Sequence, residues 1–96
     1  MTIDVRSVHF DLGEASKEYL DKKLERVGYA KDIIVDMIFI FTKEKEFKGE
    51  VTINFRKGTQ AHLEETDYEI QTTIDKLVDR MEQKITKEKD KMQEHK

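Results

Sequence analysis

The chain has no cysteine and no proline, and only four of its 96 residues are glycine. Without cysteine there is no disulfide framework, no thiolate metal site and no cysteine nucleophile. Without proline or a Gly/Ser-rich stretch the usual linker signals are missing, and no internal repeat is present. One domain over residues 1–96 is therefore expected. Long apolar runs are also absent. The longest, Ile33 to Phe41, is interrupted by Asp36 and falls far short of the ~20 residues of a membrane helix. The N-terminal Met1-Thr2-Ile3-Asp4-Val5-Arg6 carries charge where a signal peptide needs an apolar segment. These absences imply a soluble, cytoplasmic protein with no membrane partner.

What is abundant is charge. Asp, Glu, Lys and Arg make up 41% of the chain, against 36% hydrophobic residues, and the net charge is −3. That balance argues against indiscriminate coating of nucleic acid. Phosphate binding needs positive charge only locally, so the placement of Lys and Arg matters more than their number.

Periodicity gives the elements. Residues 2–10 begin with Ile3 and Val5 alternating against Asp4 and Arg6, the pattern of a half-buried strand. Residues 14–27 read as a helix with Leu20, Leu24 and Val27 on one side and Gly28 as a C-cap. Residues 33–42, β-branched and aromatic, predict a central strand. Val35, Met37, Phe39 and Phe41 would lie on one face, with Ile34, Ile38 and Ile40 on the other. Lys43 to Gly49 is a charged turn region. Residues 50–56 alternate with Val51, Ile53 and Phe55 inward, and Lys57-Gly58 signals a tight turn. Residues 59–65 make a weaker strand with Ala61 and Leu63 inward. Thr66-Asp67-Tyr68-Glu69 matches a capping box with Thr66 as N-cap, opening a helix over about 67–92 with a frayed end. The order β-α-β-β-β-α predicts a two-layer α+β sandwich, a four-stranded sheet with two helices on one face. The first two strands would form a parallel crossover pair, the last three an antiparallel meander.

On a helical wheel the second helix sorts its charges. Ile70, Ile74, Leu77, Val78, Met81, Ile85 and Met92 share the core arc. Lys76, Arg80, Lys84, Lys87 and Lys91 fall in a separate arc beside it. Asp75, Asp79, Glu82 and Asp90 gather on the other side, with Glu88 and Lys89 as exceptions. Cations at one-turn spacing can follow a nucleic-acid backbone. A solvated face held by i,i+4 pairs is the competing reading, although mixed signs would serve that purpose better. Lys22 and Arg26 stand one turn apart on the first helix with Lys23 nearer the core edge. With both helices on one sheet face, the two basic rows could form one surface.

No Gly-rich phosphate loop, nucleophile elbow or metal-ligand spacing is present. The histidines are His9, His62 and His95. His9 and His62 fall near strand ends and could meet in space. Two histidines and a stray carboxylate make neither a metal site nor an acid–base pair. A non-enzymatic chain without a cofactor is expected.

The capping segment, Thr73-Ile74-Asp75-Lys76-Leu77-Val78-Asp79-Arg80 and the ending Lys87-Glu88-Lys89-Asp90-Lys91 resemble the ribosome hibernation promoting factor family, also called the YfiA or protein Y family. The opening strand, Glu14-Ala15-Ser16-Lys17-Glu18-Tyr19-Leu20, Lys22-Lys23-Leu24 and the strand from Gly58 to His62 fit as well. The resemblance covers essentially the whole chain. It implies a fold like a double-stranded-RNA-binding domain with an extra N-terminal strand. It further implies binding to small-ribosomal-subunit rRNA in the mRNA and tRNA channel, silencing idle ribosomes in stress or stationary phase. On that resemblance Lys22, Lys23, Arg26, Arg80, Lys87, Lys89 and Lys91 would contact rRNA phosphates; the wheel adds Lys76 and Lys84. The chain departs from the family at Ile70-Gln71, where Met-Tyr is frequent, at Thr72-Thr73 in place of Ala-Ala, and at Gln83, where Arg is frequent. Long members carry a second domain that dimerises ribosomes. The sequence stops at Lys96 without one, so the resemblance is to a short form or to the N-terminal domain of a long one.

Two further readings stand beside this. An open sheet face bearing isoleucines would suit a protein–protein module or a weak homodimer, unless long polar side chains shield it. A generic structured-RNA binder would use shape and phosphate contacts, but the net charge favours docking to one shaped site.

Overall fold

The computed structural model describes residues 1–93. Strands β1 (Thr2–Val8), β2 (Ile34–Lys43), β3 (Phe47–Phe55) and β4 (Gln60–Asp67) form one sheet in that spatial order. β1 and β2 are parallel, and β2–β3 and β3–β4 are antiparallel. Helices α1 (Glu14–Leu24) and α2 (Ile70–Gln93) cover one face. This is the predicted two-layer sandwich with its parallel crossover and meander. The core is one cluster in which Met37, Phe39, Phe41, Val51 and Ile53 of the sheet are fully buried with Leu20, Val27, Ile74, Leu77, Val78, Met81 and Ile85. Among the described residues no helix is long and apolar enough to cross a membrane.

Several boundaries differ from the sequence pattern. β1 stops at Val8, because His9 turns into the left-handed region at φ 69°. α1 ends at Leu24, and a 3-10 helix continues over Glu25–Ala30. Leu24, Val27 and Ala30 are all buried. Spacing of three matches three residues per turn, so tightening the helix keeps all of them on the core. Gly28 lies inside that segment without a positive φ and is not a left-handed C-cap.

At the start of β2 the register against β3 shifts between Ile34 and Asp36, leaving Val35 as an extra residue. The bulge reverses the alternation. Ile34 is buried and Val35 is 43% exposed, the opposite of the prediction for this pair. The charged turn shrinks to Glu44–Glu46, so Phe47 and Gly49 belong to β3. Gly49 sits where α2 approaches β3. A Cβ there would meet Phe41 Cε1 at 2.9 Å and Thr73 Cγ2 at 3.2 Å.

Thr66 belongs to β4, and the turn into α2 is held instead by Asp67, whose Oδ2 accepts the Glu69 N–H at 2.9 Å. The predicted capping box is thus replaced by an Asx turn. His9 and His62 do not meet: they belong to opposite edges of the sheet, about 14 Å apart at three strand spacings. On the open face Ile38 and Ile40 are half-buried between Asp4 and Arg6 of β1 and Thr52 and Glu50 of β3. Beside them Gln60 donates to Asn54 at 2.8 Å, and Asn54 donates to Asp36 at 2.6 Å. The expectations for the Met92 side chain, His95 and the frayed end fall outside what the structure describes.

Candidate nucleic-acid interface

α2 has no proline or glycine over its 24 residues, and its apolar arc holds it on the sheet. Its two charged flanks therefore point in fixed and different directions. The acidic flank faces α1 and the 3-10 segment. Asp75 accepts the Tyr19 hydroxyl at 2.6 Å and the Lys23 ammonium at 3.0 Å. Arg26 bridges to Asp79 at 3.2 Å and to Glu82. Further along, the Tyr29 hydroxyl meets the Thr86 hydroxyl at 2.8 Å, and Lys89 donates to the Tyr29 carbonyl at 3.2 Å. Burial pushes the Asp75 carboxyl up, but Tyr19 and Lys23 together bring it below its ordinary value. The same hydrogen bonds to Asp75 hold the Tyr19 phenol and the Lys23 ammonium above theirs. Lys23, Arg26 and Lys89, three nominated cations, thus already have protein partners. Lys22 is exposed and has no ion pair among the described residues.

The basic flank overhangs the outer edge of the sheet. Lys76 reaches the Thr66 carbonyl at 3.1 Å and Asp67 at 3.2 Å, and Arg80 reaches the Glu64 carbonyl at 3.0 Å and Glu65 at 2.7 Å. The Asx turn, backed by Lys76, holds the Asp67 carboxyl below its ordinary value. Toward the C-terminal half the flank opens into a groove of about 190 Å³ lined by Leu63, Arg80, Gln83, Lys84 and Lys87. Lys87 is exposed there with no ion pair among the described residues. Lys84, Lys91 and Lys57 converge on Glu88, at 3.4, 3.9 and 3.6 Å. Around the groove five cations (Lys57, Arg80, Lys84, Lys87, Lys91) stand against two carboxylates, Glu65 and Glu88. Surplus positive charge over a concave, part-apolar floor is suited to polyanion binding.

The fold therefore brings together Arg80, Lys84, Lys87 and Lys91, with Lys76 one turn further back. It does not join them to Lys22, Lys23 and Arg26, because the acidic flank of α2 lies between the two rows. Sequence reasoning missed Lys57, which sits on the β3–β4 turn. It also set aside Glu88 as an exception. The signal for Glu88 was available: on the wheel it falls at the same angle as Ile70, inside the core arc on the side next to the basic row.

On the open face Glu50, His62 and Glu64 place ligand atoms within 4.8 Å of one another. They already have protein partners. His62 Nε2 is 3.5 Å from Glu50 and its Nδ1 3.1 Å from the Thr52 hydroxyl, while Lys48 stands 3.6 Å from Glu64.

The fold and the cationic flank define a small α+β domain whose long C-terminal helix carries surplus positive charge along one edge. Residues 3–93 match the family model described as sigma 54 modulation protein / S30EA ribosomal protein. The chain belongs to that family. Among solved structures it is similar to a ribosomal subunit interface protein from Coxiella burnetii, with TM-score 0.84 and 23% identity over 93% of this chain and 98% of that one. It is also similar to the N-terminal domain of Protein Y from Thermus thermophilus, with TM-score 0.78 and 23% identity over 91% and 98% of the two chains. At that identity the likeness is one of fold. No curated protein matches the chain.

Proposed function

We propose that this chain, as a single ribosome-binding unit over residues 1–96, binds small-subunit rRNA in the mRNA and tRNA channel and silences idle ribosomes in the cytoplasm under stress or in stationary phase. Family membership supports the ribosome as the partner, as does the likeness in fold to a ribosomal subunit interface protein. The observation that carries the reading is the groove along α2, where cations outnumber carboxylates in a chain of net charge −3. A negative chain with one positive edge docks at a shaped polyanionic site and does not coat nucleic acid. Arg80, Lys84, Lys87 and Lys91 form the main phosphate row, Lys76 extends it, and Lys22, Lys23, Arg26 and Lys89 make outlying contacts.

The test is co-sedimentation with purified small ribosomal subunits, paired with translation in a cell-free system. Reversing Arg80, Lys84, Lys87 and Lys91 to Glu should abolish both binding and inhibition. Charge reversal at two distant lysines, Lys31→Glu with Lys45→Glu, should leave both intact, and the paired groove variant Lys84→Glu with Lys87→Glu, of equal charge change, should not. Unchanged binding by the groove variant would sink the reading. The isoleucines of the open sheet face are flanked by polar and charged neighbours, and no observation there favours a homodimer.

A further inference from the structure

Glu88 is a carboxylate at a core position. It is 5% exposed, and its Oε2 has no hydrogen-bond partner. A carboxylate withdrawn from water and left short of hydrogen bonds is costly, so something must hold it charged. Burial pushes its carboxyl up, but Lys84, Lys57 and Lys91 outweigh that and bring it below its ordinary value. Three ammonium groups from two separate elements thus converge on one buried anion. Lys84 and Lys91 stand on either side of it along α2. Lys57 comes from the β3–β4 turn, which nothing else ties to the end of the helix by a charged contact among the described residues. Without Glu88 the three cations would repel one another and splay into water. With it they are held close together beside the groove, and the cluster of three cations and one carboxylate keeps two positive charges in surplus.

On the reading that the groove binds rRNA phosphates, we infer that Lys57 is a further phosphate-binding residue, and that Glu88 is the positioning residue that draws it to Lys84 and Lys91. The binding surface is then built from two elements. It runs from α2 across to the β3–β4 turn, so a phosphate meets ammonium groups from two directions.

The experiment measures binding of the full chain to purified small ribosomal subunits across a salt series. Lys57→Ala should weaken binding several-fold and lower the salt slope by about 1, the signature of one lost phosphate contact. Lys57→Arg should restore most of the binding. Glu88→Gln gives the sharper result. It adds a net positive charge at nearly constant shape, so charge alone predicts tighter binding. Positioning predicts weaker binding, and no further loss when Lys57→Ala is added to it. A thermal melt of each variant separates loss of fold from loss of contact, and Glu88→Asp serves if the Gln variant melts early: its shortened carboxylate should weaken binding at unchanged net charge. If Lys57→Ala binds like wild type while Lys84→Glu with Lys87→Glu binds weakly, the inference falls and the functional reading stands. Tighter binding by Glu88→Gln also overturns it. If the Lys84→Glu, Lys87→Glu variant binds like wild type, both readings fall together.

Discussion

The two flanks of α2 carry similar numbers of charged groups and put them to different uses. On the side facing α1, Asp75, Asp79 and Glu82 each meet an opposite charge. Asp75 takes Tyr19 and Lys23, and Asp79 and Glu82 take Arg26. These contacts set how the two helices sit on the sheet, and they leave little field for a ligand. On the side overhanging β4, cations outnumber carboxylates and Lys87 has no partner among the described residues. A stripe of one sign on a helical wheel keeps surplus charge only where its surroundings do not neutralise it. Lys23 and Arg26 carry the same charge as Lys84 and Lys87, but the acidic flank of α2 supplies one or more carboxylates to each of them.

The largest expected effect comes from breaking this asymmetry on the binding side. Reversing Arg80, Lys84, Lys87 and Lys91 to Glu should lower affinity for small subunits by about 100-fold or more, since four phosphate contacts become four repulsions. The melting temperature should fall as well, because Lys84 and Lys91 are two of the three cations that hold the buried Glu88 charged, so binding is measured well below the melt of this variant. Next comes the opposite flank. Asp75→Ala strips Tyr19 and Lys23 of their shared acceptor, so thermal denaturation should show a loss of several degrees with ribosome binding retained. For the same reason reversal of the acidic flank is a poor neutral control: it dismantles the helix–helix contact. A smaller effect should appear in the dependence of melting temperature on pH. Asp67, Asp75 and Glu88 are held below the ordinary carboxylate range. Their stabilising contribution is complete above about pH 5 and is lost as pH falls through their folded values. Tyr19 and Lys23 are held above their ordinary values. Their contribution is present below about pH 10 and is lost as pH rises past it. A plateau flanked by two declines is expected, and Glu88→Gln should shallow the acid limb. The smallest change is Tyr29→Phe, which removes one exposed hydroxyl contact to Thr86. It should leave binding untouched and shift the melt by no more than a degree or two.

Much of the fold was legible because strands β1 and β3 alternate cleanly and α2 sorts its apolar residues on a 3.6 period. The misreadings share a physical cause. Alternation assumes a regular strand, and the extra residue at Val35 breaks it, exchanging the faces of Ile34 and Val35 relative to the prediction. A helix read at one period through Val27 misses the change to three residues per turn that buries Leu24, Val27 and Ala30. At the site, the row on α2 followed from local geometry alone. The turn residue Lys57 did not, because only the tertiary fold lays the β3–β4 turn beside the end of α2. Glu88 was hidden by its type: a carboxylate at a core angle looks like noise until its three cations are in place.

Gly49 has a consequence for aim. By admitting Phe41 and Thr73 to within contact distance of the β3 backbone, it makes the first turn of α2 a fulcrum. From Thr73 to Glu88 the helix runs about 22 Å at 1.5 Å per residue. A methyl group at residue 49 that lifts the near end by a few tenths of an ångström would swing the far end, with Lys84 and Lys91, against the β3–β4 turn. The smallest side chain in the sheet thus sets the pointing accuracy of cations about three and five turns away.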